Sequence, residues 1–445
     1  MLIVINEDAV YYSRILTELT LSFHIIYATI GVGIPLFIMI AQWIGIRKND
    51  EHYILLARRW TRGYAITVAV GVVTGTAIGL LLSLLWPKFM EVAGHIIALP
   101  LFMETFAFFF EAIFLGIYLY TWDRFANQFK HLLLLIPVAI GSSVSAVFIT
   151  TVNAFMNSPR GFDLVNGELM NANPIVAMFN PSMPTKVSHV VATAFMTSAF
   201  ILASIAAYRI LRGSKHVYHR KALHLTLTTG LIFSVASLII GDLSGKYLAQ
   251  YQPEKLAAAE WHFETQKEAP LLLLGFLSDD GDVRFSIKIP YALSILAHGS
   301  PTAEVTGLDR IPKDERPPLY IHYLFNIMVG IGTLLIIVPL LYWIGIKRKW
   351  TWIKNKTFMW LLVLGGPLSM IAIEAGWWLN EVGRQPWVLY GVMRTAEGAT
   401  TSQQVDLMLW LFSALYMMLG IGSVIVLTRM FNKNPIEREL KERYT

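Results

Sequence analysis

Of the ionisable side chains in or at the ends of long apolar stretches, seven stand as candidates: His24, Glu104, Glu111, His189, Asp242, Glu374 and Glu381. In hydrocarbon such groups are costly, so each is a candidate for function. Met328 joins them as a soft sulfur donor. An imidazole or a thioether on a membrane helix is a normal ligand to haem iron, and a His/Met pair makes a low-spin centre. Both types also do simpler work, since a histidine can bond a neighbouring helix and a methionine mostly packs. Spacing alone leaves both readings open. Glu104 and Glu111 are seven residues apart, two helical turns, so they share a face. Thr105, Phe106, Ala107, Phe108, Phe109 and Phe110 lie between them. Two carboxylates on one aromatic face can carry protons; the alternative is a neutral acid bonded to an adjacent helix.

The elements that must position these groups are membrane spans. Of 445 residues, 55% are hydrophobic and only 15% charged, against about 25% charged in soluble domains. With no cysteine, disulfides, thiolate metal sites, iron–sulfur clusters and covalent c-type haem are excluded. Apolar runs long enough to cross a bilayer lie near 15–42, 64–86, 96–120, 131–154, 187–208, 223–243, 319–345, 358–380 and 405–428. No basic stretch or small-residue cleavage site precedes the first, which therefore reads as a span rather than a signal peptide.

Basic residues alternate between the loops. One set holds Arg47, Lys48, Arg58, Arg59 and Arg62, then Arg124 and Lys130, then Arg209 to Lys221, then Lys347 to Lys356, then the tail. The opposite short loops hold Lys88, Arg160, Lys186, Arg384 and Arg394. Cytoplasmic loops carry the Lys/Arg excess, so the expected fold is an all-α polytopic bundle of about nine spans, N-terminus outside and C-terminus cytoplasmic. The net charge of +6 is then topological and gives no ground for nucleic-acid binding. In that orientation His24 lies ~15 Å below the outer surface at about 1.5 Å per residue. His189, Met328 and Glu381 fall at a similar outer depth, and Glu111 lies near mid-membrane.

The expected division is 1–243 (spans one to six), 244–318 (an extracytoplasmic loop) and 319–445 (spans seven to nine with the tail). A loop of that length is functional or disordered. Leu271 to Leu274 and Ile287 to Leu296 argue for a folded cap. A helical stretch is expected over Pro253 to Gln266, and a hairpin around Ser278-Asp279-Asp280-Gly281-Asp282. Lys255 and Glu260, taken alone, read as ordinary charges on a surface helix.

The stretch Gly376-Trp377-Trp378-Leu379-Asn380-Glu381-Val382-Gly383-Arg384-Gln385-Pro386-Trp387 resembles the signature of subunit I of cytochrome bd quinol oxidases. Glu104 to Glu111 followed by Trp122-Asp123-Arg124, Ser145 to Asn153 followed by Ser158-Pro159, Gly241 to Gly245, and Gln252 to Glu260 match the family in the same order. The resemblance covers nearly the whole chain and points to the short-loop branch. It implies a bacterial plasma-membrane enzyme that oxidises quinol, menaquinol being the expected species, at the outer face. It reduces O2 to water and generates proton motive force without pumping. It implies two haems b, one low-spin and one high-spin, and one haem d. His189 and Met328 match the axial ligands of the low-spin haem. His24 and Glu381 match ligands of the high-spin pair, without deciding which serves which. Lys255 and Glu260 match quinol-site residues, and Glu104, Glu111 and Ser145 a proton-carrying set. Arg14, Trp377, Arg384 and Asp242 match positions around the cofactors. The implied partners are subunit II, in a heterodimer, and a small single-helix subunit. The chain departs from many members at Asn326, where they have Arg, and in the seven-residue spacing of the acidic pair. Two other classes compete: a proton-coupled secondary transporter using Glu104, Glu111 and Asp242, and a b-type haem relay without oxidase activity.

Overall fold

A computed structural model describes residues 6–165, 167–278 and 283–441. Among them, nine helices are long and apolar enough to cross a membrane: Glu7–Lys48, Glu51–Leu85, Pro87–Tyr120, Gln128–Asn157, Met183–Leu211, Val217–Tyr251, Ile321–Lys347, Lys356–Val382 and Val405–Lys433. They are numbered below as the first to ninth spans. The fold is all-α, with only short two-stranded pairs in the connections.

Most helices run past the apolar stretches that mark them. The second begins at Glu51 rather than 64. Asp50 accepts from His52 N at 3.1 Å and so caps it, satisfying an otherwise orphan donor. Ile54, Leu55, Leu56 and Ala57 are buried, so this turn packs although it carries Arg58, Arg59 and Arg62. Arg59 and Arg62 both pair with Glu439 of the tail helix. These arginines, expected in a loop, are helical, with partners brought in from the distant tail helix and from Asp123. The fifth span likewise begins at Met183, which moves Lys186 from a loop into the helix.

The fifth, sixth, seventh and eighth spans close a ring. Fifth packs on sixth, sixth on seventh, seventh on eighth, and eighth back on fifth. The first and second spans pair alongside, and the first also touches the fifth. Because spans alternate in direction, the N-terminus and the long connection after Tyr251 share one end of the bundle; that end is called the loop end.

The connection folds as a cap. Helix Pro253–Ala259 starts with proline in its first turn, where a missing N–H costs nothing. It stops well short of the expected Gln266, because Trp261 adopts φ 47° and turns the chain back. Strands Leu271–Leu277 and Val283–Ile289 pair antiparallel. They are the arms of the expected hairpin, whose turn at 279–282 lies outside the described residues. Gln266–Lys267 pairs with Glu304–Val305, and Leu256, Ala269, Leu293, Ala297 and Val305 form a small core under the cap.

Candidate functional site

His189 lies six residues into the fifth span and Met328 seven into the seventh. Both helices start at the loop end, so the two side chains share a depth. Fifth and seventh are diagonal in the four-helix ring, so a thioether and an imidazole are offered from opposite walls. The His189 Nδ1 is buried with no hydrogen-bond partner. Glycine makes room for the Met328 sulfur, while Gly241 lies in ordinary contact with His189. A Cβ at Gly241 would sit 3.9 Å from the His189 ring, and one at Gly376 only 3.0 Å from the Met328 sulfur. Gly376→Ala is therefore expected to displace that sulfur.

His24 sits on the first span with its Nδ1 2.8 Å from Thr74 Oγ1. The Thr74 hydroxyl also lies 3.1 Å from the backbone carbonyls of Val70 and Gly71. Donation to either carbonyl leaves its oxygen to accept from His24 Nδ1, the tautomer in which the lone pair of Nε2 is open to a metal.

Glu381, near the loop end of the eighth span, is 9% exposed and heavily bonded. Its Oε1 accepts from Asn153 Nδ2 and from Asn380 Nδ2, the latter at 2.8 Å. Its Oε2 accepts from Arg384 Nη2 at 2.7 Å. Lys186 Nζ donates to Asn153 Oδ1 at 3.0 Å and to Asn380 Oδ1. A carboxylate offers about four acceptor positions, so one remains. Arg384 Nε and Nη1 are buried and unpartnered, two donors suited to a ligand's carboxylate. A free imidazole nitrogen, a sulfur, a carboxylate with one open position and orphan guanidinium donors together fit haem, an iron macrocycle bearing propionates.

Glu18, absent from the candidates drawn from the sequence, lies on the first span within electrostatic reach of Glu381, Arg384, Arg14 and Glu374. It lies within the apolar run 15–42, where only His24 stood out by residue type. Lys186, Asn153 and Asn380 were missed because an amide or a lysine near a helix end looks like a loop residue until its partners are known. Asp242 stands apart, exposed and paired with Lys246; its neighbour Gly241 faces His189 instead. Trp377 is half-buried beside Gly376.

The acidic pair divides. Glu111 is 4% exposed and accepts from the Tyr64 hydroxyl. Glu104 is half-buried and accepts from Ser145 Oγ at 2.9 Å. Ser145 therefore belongs with the outer of the two carboxylates.

Lys255 and Glu260 are buried rather than solvated, at 3% and 2% exposure. Lys255 Nζ donates to the Asn380 carbonyl at 2.9 Å, joining the network around Glu381. It fits there because residue 383 is glycine, where a Cβ would come within 2.7 Å of Lys255 Cε. Burial lowers the Lys255 ammonium to about 7. Both Glu260 oxygens are buried and unpartnered, and burial pushes its carboxyl up to about 8. A carboxyl that changes charge near neutral pH, with open acceptor positions, is equipped to take a proton from a hydroxyl.

The family described as cytochrome bd terminal oxidase subunit I matches residues 12–435. A Bacillus subtilis (strain 168) protein named "Putative cytochrome bd menaquinol oxidase subunit I" is 43% identical over 441 residues, 97% of this chain and 99% of its own. A cytochrome bd ubiquinol oxidase subunit 1 from the same organism is 28% identical over 439 residues, 95% of this chain and 93% of its own. The solved structure of the bd oxidase from Geobacillus thermodenitrificans has a chain 71% identical to this one, with TM-score 0.93, covering 96% of this chain and 99% of that one.

Proposed function

The chain belongs to the cytochrome bd terminal oxidase subunit I family, and from that premise we propose that it oxidises menaquinol at the loop end of the bundle and contributes the site where O2 becomes water. The enzyme is a quinol oxidase, which removes the transporter and non-enzymatic relay readings. It works with subunit II, and with a small single-helix subunit. It resides in the bacterial plasma membrane, with the loop end outside and the basic end in the cytoplasm, as the loop charges favour.

The observation that carries this reading is the placement of His189 and Met328 on diagonal spans of the ring at matching distance from the loop end, with the cap helix that precedes the buried Glu260 packed on the Met328 span. His189 and Met328 would hold a low-spin haem b. His24 and Glu381 would hold a high-spin pair, one haem b and one haem d. When bound, these groups supply the electron path and the O2-reducing centre. Glu260 accepts a proton from the quinol hydroxyl and releases it on the outer side. Lys255 ties the cap to Asn380, beside Glu381. Arg384 and Arg14 hold anionic groups, while Trp377 lines the same wall. Asp242, at the exit of the sixth span, fixes Lys246 near the cofactor helix. Tyr64, Glu111, Ser145 and Glu104 would pass protons inward from the cytoplasmic side. Quinol protons leave on one side and consumed protons enter from the other, so no pump is needed. Each charge separated across 100 mV stores about 2.3 kcal/mol.

The test is a purified complex assayed for haem absorbance and for oxygen uptake with reduced menaquinone. Absence of either ends the reading. A pH profile checks the cap. Glu260 is raised to about 8, so it is protonated below that value and able to accept a proton above it. The expected kcat/KM for quinol rises with pH through about 8 and then levels. In Glu260→Gln the residual rate lacks that limb.

A further inference from the structure

Glu260 has no side-chain partner, so only its backbone aims it. Both of its chain neighbours are fastened to one residue, His322, in the first turn of the seventh span. Upstream, the Ala259 carbonyl lies 2.7 Å from His322 Nδ1. Downstream, the Trp261 indole stacks on the imidazole with centroids 4.0 Å apart and planes 22° from parallel. The same indole N–H donates to the Leu319 carbonyl at 2.7 Å.

The state of the imidazole is dictated by its partners. A carbonyl only accepts, so Nδ1 carries the proton. Nε2 then presents its lone pair to Asn326 Nδ2, 2.8 Å away. His322 is wholly buried, at 0% exposure, with both ring nitrogens occupied. It is therefore no proton acceptor of its own. It is a clamp whose two faces are the cap and the seventh span. Asn326, the position that departs from many relatives, sits one turn further along and only two residues before Met328. Its amide holds the far side of the same ring.

We propose that His322 is a positioning residue for quinol oxidation: with Asn326 it locks the Ala259–Glu260–Trp261 turn onto the seventh span, setting the Glu260 carboxylate over the Met328 helix. The inference rests on the reading of Glu260 as a quinol-site residue and adds the element that aims it.

The clamp makes a stereochemically specific claim. Phenylalanine at 322 keeps the stack on Trp261 but loses both hydrogen bonds. Asparagine loses the stack but can return an N–H near the place of Nδ1, facing the Ala259 carbonyl. The experiment uses the purified holo-complex with soluble reduced menaquinone analogue, and records KM, kcat and the dithionite-reduced haem spectrum. His322→Phe is expected to raise KM about tenfold, as for loss of a buried hydrogen bond at a binding element, with the reduced spectrum intact. His322→Asn is expected to bring KM back to within about threefold of the parent, as for restoring most of that bond. The proposal is overturned if His322→Phe leaves KM within about twofold. It is equally overturned if that variant loses the low-spin band, which makes His322 a packing residue for the Met328 helix, or if the asparagine variant is no better than phenylalanine. Glu260→Gln run alongside separates the two levels. Unchanged quinol oxidation in that variant removes the quinol-site reading itself, whereas a defect there with a normal His322→Phe removes only the clamp.

Discussion

Exchange of His189 for alanine is expected to abolish the low-spin haem band in the reduced-minus-oxidised spectrum and to stop quinol-driven oxygen uptake. His52 Nδ1, like His189 Nδ1, is buried without a hydrogen-bond partner, but it lies in the first turn of the second span, at the end of the bundle opposite the loop end. Three other buried histidines are held by hydrogen bonds. His131 Nδ1 meets Gln42 at 3.1 Å and its Nε2 meets the Tyr118 carbonyl at 3.0 Å. His322 is held on both nitrogens, and His262 Nε2 meets the Val305 carbonyl at 3.1 Å. His189 has a buried Nδ1 with no partner. Leaving a buried polar atom unsatisfied costs about 1–3 kcal/mol, and a bound group that uses the ring offsets that cost. A methionine on the diagonal span at matching depth would supply the second ligand of such a group. Met328→Ala should therefore reproduce the spectral loss. His131→Gln, which changes a bonded structural histidine, should leave the band in place. A His189→Ala complex with an unaltered low-spin spectrum would falsify the assignment. Exogenous imidazole that restores the band would locate the defect at the vacated ligand position rather than in folding.

How much of this was legible beforehand depends on which physical constraint acts. The spans were legible because lipid forces every crossing segment to be long, apolar and helical. The cap was foreseen from its apolar content, and its hairpin arms fall at Leu271–Leu277 and Val283–Ile289. What hydropathy does not show is where a helix continues once it leaves hydrocarbon. There the deciding terms are caps and ion pairs, such as Asp50 with His52 and Arg59 with Glu439. That is why 51–63 read as loop and Lys186 as a topological charge. Ligand types were legible from residue chemistry. Their surroundings were not, because Asn153, Asn380 and Lys186 come from three different spans and meet only through tertiary packing. Lys255 and Glu260 share a cap helix in sequence, yet one reaches the Glu381 network and the other stands unpartnered. No periodicity distinguishes them. His322 was invisible for the same reason: its role is defined by the two elements it joins.

The Glu381 network carries the second large effect, and Lys186 is where it is most exposed to test. Two asparagine amides point their N–H groups at Oε1 of Glu381. An Asn side chain can flip, and flipped it would turn a carbonyl oxygen toward the carboxylate. The ammonium of Lys186 prevents this by donating to both amide oxygens, so one cation fixes the orientation of two donors. Asn380 Nδ2 also lies 2.8 Å from Asn153 Oδ1, which binds the three into a single unit. Removing one member of a buried charged network costs about 3–5 kcal/mol, and the loss is cooperative when its members polarise one another. Lys186→Met keeps most of the side-chain volume and removes the donor. Its expected phenotype is a large fall in the high-spin haem bands, with the low-spin band proposed for His189 and Met328 retained as the internal reference in the same sample. Lys186→Arg, which keeps a cation able to reach two acceptors, should recover part of the loss. Asn153→Leu should resemble the methionine variant, because the carboxylate then loses one of its amide donors outright. Equal loss of all bands would mean that Lys186 supports the bundle as a whole. Unchanged high-spin bands in Lys186→Met would mean that Arg384 alone, 2.7 Å from Oε2, suffices to hold Glu381 in place.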